Sequence, residues 1–290
     1  MILNKCIAVS GGAGFIGSHL VESLAAESTN DVISIDNYFT GSRKNHVPGV
    51  EYVEGHTKDI ERLLPRTPDL VFHLGEYSRV ERSFSEPQIV WDMNIAGTFA
   101  VVEYCRAHNT KLVYAGSSTA FADGGLGRDQ SPYAWSKAQN TELVSNYGNW
   151  YGLDHAITYF YNVYGPREIA TGDYATLIGL FARQYRKGKP LTVVTPGTQR
   201  RNFTHVQDIV RGLLLVGELG QGNDYGLGAN ESYSVLEIAE LFKSDIEMLP
   251  ERAGNRMNAQ LNTEKAKSLG WEPRYSISTY IQEIVDAKDI

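Results

Sequence analysis

The run Cys6-Ile7-Ala8-Val9-Ser10-Gly11-Gly12-Ala13-Gly14-Phe15-Ile16-Gly17-Ser18-His19-Leu20 decides the fold. It passes from a short apolar segment through a glycine turn into residues with helical spacing, which predicts strand, turn and helix in immediate succession. Glycines at 11, 12, 14 and 17 let the backbone turn sharply, approach a ligand without a Cβ in the way, and seat the helix closely on the strand. The unsatisfied N–H groups and the dipole at that helix start suit a pyrophosphate. Gly11, Gly14, Phe15, Ile16 and Gly17 are therefore candidate cofactor contacts.

Gly12-Ala13-Gly14-Phe15-Ile16-Gly17 fits GxGxxG, a pattern that many flexible loops also satisfy, so the context carries the argument. The next apolar run, Val32-Ile33-Ser34-Ile35, ends in Asp36, close to the ~20-residue spacing at which a carboxylate meets the ribose 2′-hydroxyl of NAD. An acid there repels the 2′-phosphate of NADP. A strand-end Asp is otherwise simply solvated, but strand, turn, helix, strand and acid stand in register, and NAD is the expected cofactor. Asn37, next in the chain, joins the candidate contacts.

Strands are expected near Cys6 to Ser10, Val32 to Asp36, Val50 to Val53, Leu70 to Leu74, Leu112 to Ala115 and Ala156 to Tyr161. Helices alternate with them near Gly17 to Glu27, Ile60 to Leu64, Gln88 to Ala107 and Ala134 to Trp150. This alternation means an α/β fold, a Rossmann-type doubly wound parallel sheet covered on both faces, with the ligand beyond the carboxyl ends of the strands. From about Gly165 the alternation is lost. Residues 1–165 are read as the NAD-binding domain and 166–290 as a smaller C-terminal substrate-binding lobe. That lobe holds helices near Thr176 to Arg186, Val206 to Glu218, Val235 to Phe242 and Ile277 to Ala287, and a strand near Leu191 to Val194. Segment 200–215 belongs either to that lobe or back on the first.

The 290 residues carry a net charge of -7. With no Lys/Arg block, this argues against a nucleic-acid partner. Cys6 and Cys105 sit in apolar runs and offer neither a disulfide framework nor metal-ligand spacing, so buried thiols in a reducing compartment are expected. No signal-peptide pattern opens the chain and no apolar run reaches the ~18 residues of a membrane span. The expectation is a cytoplasmic protein without metal or membrane partner.

Chemistry is sought just after the strands, where the chain reads His73-Leu74-Gly75-Glu76-Tyr77-Ser78-Arg79-Val80-Glu81-Arg82-Ser83, then Gly116-Ser117-Ser118-Thr119, then Tyr133-Ala134-Trp135-Ser136-Lys137. With GGAGFIG, Asp36, YNVYGPR from 161 to 167, RNFTHVQD from 201 to 208 and LGWEP from 269 to 273, the chain resembles the extended short-chain dehydrogenase/reductase family. Within it, the likeness is to the nucleotide-sugar epimerase and dehydratase branch of UDP-glucose 4-epimerase type. The spacing of Tyr133 and Lys137 puts both on one helix face, an arrangement that surface pairs also show. With a nicotinamide above them, the lysine and the ring's positive charge both favour the phenolate, and Tyr133 becomes the base that takes a proton from a sugar hydroxyl.

The remaining roles are what the resemblance implies. Lys137 holds the nicotinamide ribose, and Ser117, with Ser118 as the alternative, hydrogen-bonds the reacting hydroxyl. Asp59, with Ile60 beside it, contacts the adenine amine, although Gly55-His56 stands where relatives carry Gly-Asp. Leu74, Gly75, Asn94, Tyr161 and Val163 flank the cofactor. Asn162 contacts the sugar or phosphate of the donor, and Arg201 and Arg252 clamp its diphosphate, a task for a permanently charged planar fork. Glu76 and Arg79 are unusual. Either they set sugar preference, with Arg79 meeting a carboxylate or acylamino group, or they form an internal ion pair shaping the loop. His73 reads as a strand cap, and His205 has no assignment. The segment between Ser117 and Tyr133 is shorter than in relatives.

Ser118-Thr119 stand where the 4,6-dehydratases carry Asp-Glu, and neither the Glu of the decarboxylases nor the Cys of the reductases is present. What remains is hydride removal and return, the chemistry of a C4 epimerase on a UDP-hexose or its N-acetyl or uronic form. A dehydratase or oxidoreductase of the same family, or a catalytically silent NAD-binding regulator, is the alternative. By fold analogy, helices 88–107 and 134–150 form a homodimer interface or else pack on the sheet.

Overall fold

The computed structural model describes residues 2–251 and 260–287. Six strands, β1 (Cys6–Ser10), β2 (Asp31–Asp36), β3 (Val50–Glu54), β4 (Leu70–His73), β5 (Lys111–Ser117) and β6 (His155–Phe160), alternate with helices as their apolar runs require. They form one parallel sheet with a seventh strand, β11 (Gly222–Leu227), in the order β11-β6-β5-β4-β1-β2-β3. The order reverses between β1 and β4, which opens a crevice at the carboxyl ends of those strands.

Side chains alternate across the sheet, as a two-residue period demands. Ile7 and Val9 point into one core with Leu20 and Leu24, while Ala8 points into the other with Val71, Val101, Leu112 and Val144. The covering helices are α1 (Phe15–Ala25), α2 (Ile60–Leu63), α3 (Pro87–Val90), α4 (Gly97–His108) and α5 (Pro132–Tyr151). Between α3 and α4 the helix runs on through a π turn, Trp91–Ala96, where one continuous helix is expected from the spacing. The start of α5 has a local cause: the Ser131 hydroxyl accepts from the Ala134 N–H at 3.0 Å and Pro132 fills the first turn, where its missing N–H costs nothing. Tyr133 is thereby fixed on the first turn of α5.

A second core gathers Ile178, Phe181, Leu191, Ile238, Phe242 and Ile281. It is built from α6 (Leu177–Arg186), β8 (Leu191–Val194), β9 (Arg200–Asn202), β12 (Ser232–Ser234), α8 (Val235–Leu241), β13 (Ile246–Leu249) and α10 (Ile277–Asp286). Here β8 pairs with β13 and β9 with β12, whereas β7 (Val163–Tyr164) pairs with β10 (Thr204–His205).

The chain does not stay in this second lobe. Ile209, Val210, Leu213 and Val216 of α7 (Val206–Leu219) share a core with Leu20 and Leu24, as do Ala266 of α9 (Glu264–Ser268) and Trp271. A single division at residue 165 thus departs from the packing. β11 escapes a reading by apolar runs because Gly222-Asn223-Asp224-Tyr225-Gly226-Leu227 has none. It is an edge strand paired on one side only, with a register break between Gly222 and Tyr225. Among the described residues, no helix is long and apolar enough to cross a membrane.

Candidate active site

A cleft of about 680 Å³ opens at the carboxyl ends of the strands and is lined from both lobes. Its floor is the glycine turn. Gly11 has φ +76, and a Cβ there would lie 2.9 Å from the Gly75 backbone; at Gly17 it would lie 2.0 Å from the Gly11 carbonyl oxygen. α1 begins at Gly14 with no side-chain cap, so the N–H groups of its first turn are left for an anion. Gly11, Gly14, Phe15, Ile16, Gly17, Asn37, Leu74, Gly75 and Val163 all line the cleft.

Asp36 closes one end. Its Oδ2 accepts from the Ala13 N–H at 2.9 Å and its Oδ1 from the Tyr38 N–H at 2.8 Å. Burial raises its pKa although both hydrogen bonds oppose the shift. Two lone pairs of the carboxylate stay available for a diol. An uncapped helix start, glycines that leave no room for a Cβ, and a buried strand-end acid fit a dinucleotide with a free 2′-hydroxyl.

Four residues expected beside the cofactor are not among those that line this cleft. Ile60 is core at 2% exposure, Asp59 faces Arg62 at 3.5 Å, and Tyr161 is buried with its hydroxyl on the Gln260 carbonyl; none of these lines the cleft. Asn94 lies behind the cleft wall, where its Oδ1 accepts from Tyr77 N–H at 2.7 Å and its Nδ2 donates to Ser136 Oγ at 2.9 Å.

The serine, tyrosine and lysine converge. The Tyr133 hydroxyl donates to Ser117 Oγ at 3.2 Å, and that oxygen also accepts from Thr119 Oγ1 at 2.9 Å. Both Ser117 and Ser118 line the cleft, but the bond from Tyr133 singles out Ser117. Lys137 follows one turn along α5 and donates to the Ala115 carbonyl and to Glu76. The Thr119 contact is absent from the sequence reading; its position two residues past Ser117 is the signal that could have found it.

Glu76 and Arg79 do not pair. Glu76 is taken by Lys137, while Arg79 Nε donates to the Tyr174 carbonyl at 2.8 Å and Nη1 to that of Ser78 at 3.0 Å. An internal Glu76–Arg79 ion pair is thus ruled out by geometry. Arg79 lines the cleft together with Glu168, which the sequence reading passes over because it directly follows the YNVYGPR motif. One Glu168 oxygen is shut off from solvent without a partner, and burial pushes the carboxyl up to about 8.

On the donor side, Asn162 lines the cleft with φ 34, a conformation L-residues seldom adopt, its Nδ2 donating to the Asn202 carbonyl at 3.2 Å. Arg201 lines the same wall. Arg252 lies outside the described residues. His73 is fully buried between Ser10 Oγ at 2.6 Å and Thr98 Oγ1 at 2.9 Å, and burial lowers it to about 4, so it is a neutral structural residue. His205 caps α7, its Nδ1 accepting from Gln207 N–H at 3.2 Å.

A glycine turn with a strand-end acid, joined to a serine, a tyrosine and a lysine, thus sits in the crevice of a doubly wound α/β protein. Residues 7–228 match the model of the NAD dependent epimerase/dehydratase family, and the chain belongs to that family, with NAD as its cofactor. A putative UDP-glucose 4-epimerase of Methanocaldococcus jannaschii is 31% identical over 97% of this chain and 97% of its own length. UDP-glucuronic acid decarboxylase 6 of Arabidopsis thaliana is 30% identical over 94% of this chain and 86% of its own length. Among solved structures, UDP-glucose 4-epimerase of Thermus thermophilus in complex with NAD superimposes with a TM-score of 0.86. It is 28% identical, covering 98% of this chain and 99% of its own.

Proposed function

We propose that this protein is an NAD-dependent nucleotide-sugar epimerase, acting at C4 of a UDP-hexose or of its N-acetyl or uronic form. The observation that carries the reading is the 3.2 Å bond from Tyr133 to Ser117 at the mouth of the dinucleotide cradle. Tyr133 removes the proton of the sugar hydroxyl, and Ser117, able to donate and accept, follows that oxygen between alcohol and carbonyl. Bound NAD supplies hydride acceptance and return. Asn162 and Arg201, which line the same cleft, hold the donor's phosphates or sugar. The two positions after Ser117 support isomerisation over elimination, because Ser118 and Thr119 are hydroxyls rather than carboxylates and Thr119 is already engaged with Ser117.

A second reading, loss of water or carbon dioxide, draws on Glu168, an acid in the same cleft whose carboxyl is pushed up to about 8. One experiment separates the two. The purified protein is incubated with UDP- and dTDP-hexoses, N-acetylhexosamines and uronic acids, and products are read by mass and proton NMR. An isomer of unchanged mass is expected, with the rate falling about 10²–10⁴-fold in Tyr133→Phe. A lighter product overturns epimerisation. In the same panel Arg79→Ser is expected to shift preference away from uronic or acylamino sugars; an unmoved ranking removes Arg79 from substrate selection.

The partner assignment is a second copy of the chain. Trp91 is 58%, Phe99 50%, Trp150 62% and Tyr151 59% exposed on the helical run 87–108 and on α5, an apolar surface that a matching surface would cover.

A further inference from the structure

Lys137 is enclosed. Its side chain is 6% exposed, its ammonium donates to the Ala115 carbonyl and the Glu76 carboxylate, and it lies 4.4 Å from the centre of the Tyr114 ring. Glu76 is held as firmly, with 4% exposure. Its Oε1 accepts from Thr98 Oγ1 at 2.9 Å, Asn140 Nδ2 at 2.9 Å and Tyr114 Oη at 3.1 Å, which leaves Oε2 facing the lysine. Donors from α4, β5 and α5 thus fix one carboxylate in one orientation. A buried ion pair is a poor source of stability, since apolar replacements of similar volume often serve as well or better. The presence of this pair one helical turn from Tyr133 calls for another reason.

We propose that Glu76 is a positioning residue for Lys137. It pins the ammonium against β5 and offsets its charge, so that Tyr133 meets a weaker positive field than the lysine alone would set. The inference rests on the reading of Tyr133 as the base. The other groups bearing on the pair leave this sign intact. His73, linked to Glu76 through Thr98, is held neutral by burial. Tyr114 is driven well above its ordinary range by burial and so stays protonated. Arg79 faces Tyr133 from the loop after β4 and is held by the Tyr174 and Ser78 carbonyls, not by Glu76.

The test is the pH profile of kcat. In Glu76→Gln the lysine charge is no longer offset, and the acid limb is expected to move to lower pH by about one unit. In Glu76→Ala the ammonium also loses its anchor, and kcat is expected to drop about tenfold or more while KM moves less than about threefold, since an unfixed group costs orientation rather than binding. An acid limb that stays where the wild type has it overturns the proposal, whatever happens to the plateau rate.

A thermal cycle tests the coupling without turnover. Lys137→Met leaves a buried carboxylate unpaired, so its Tm is expected to fall, and adding Glu76→Gln is expected to recover part of that loss. Additive shifts overturn the pairing. If no nucleotide sugar is turned over by the wild type, the functional reading fails while the thermal cycle still decides the Glu76–Lys137 coupling.

Discussion

Glu168 shows what a single carboxyl does to stability. Its unfolded value is 4.5 and its folded value about 8, so between those limits the unfolded chain gives up a proton that the folded protein keeps. Stability contributed here is present at low pH and is lost as pH rises through that window. Glu168→Gln removes the loss, so the variant is expected to gain Tm relative to wild type at pH 8 and much less at pH 5. Equal shifts at both pH values in scanning calorimetry would place the origin elsewhere. That Ser117, Tyr133 and Lys137 meet is legible through the family resemblance, with Tyr133 and Lys137 also at helical spacing. Glu76 stands out in the sequence but its partners do not, because Thr98, Tyr114, Asn140 and Lys137 come from three different elements. No spacing along the chain announces such a meeting.

At the scale of elements, turns were the readable features. The Ser131-Pro132 cap starts α5 two residues ahead of the expected Ala134, whereas the glycine turn and the strand ending in Asp36 follow from local stereochemistry. The π turn at Trp91–Ala96 did not, since its residues keep an ordinary helical pattern; the widened turn lets Asn94 reach both Tyr77 and Ser136. The edge strand β11 was hidden for the opposite reason, having too little apolar side chain to register. The glycine turn gives a sharp expectation. In Gly17→Ala the new Cβ meets the Gly11 carbonyl at 2.0 Å, a backbone contact that no rotamer can relieve. A stability loss of about 1–3 kcal/mol by chemical denaturation is expected, with loss of NAD retention during gel filtration. A variant that keeps both would mean that α1 can slide on β1 at little cost.

For the whole molecule, the exposed aromatic residues on the run 87–108 and on α5 lead to a third expectation. Replacing Trp91 and Phe99 by Lys is expected to shift the light-scattering mass from two chains to one, and a wild-type chain already single at micromolar concentration would remove the dimer assignment. The lobe boundary is legible in part: α7 overlaps the stretch 200–215, for which the sequence leaves a return to the first lobe open, whereas nothing local announces that Ala266 and Trp271 return as well. That return of the chain has a consequence for how the protein is made. β1 and the glycine turn leave the ribosome before α7, Ala266 and Trp271, which complete the layer that covers them, so these earlier segments wait half-clothed until those residues have emerged. The cofactor cradle is made well before the packing that holds it firm.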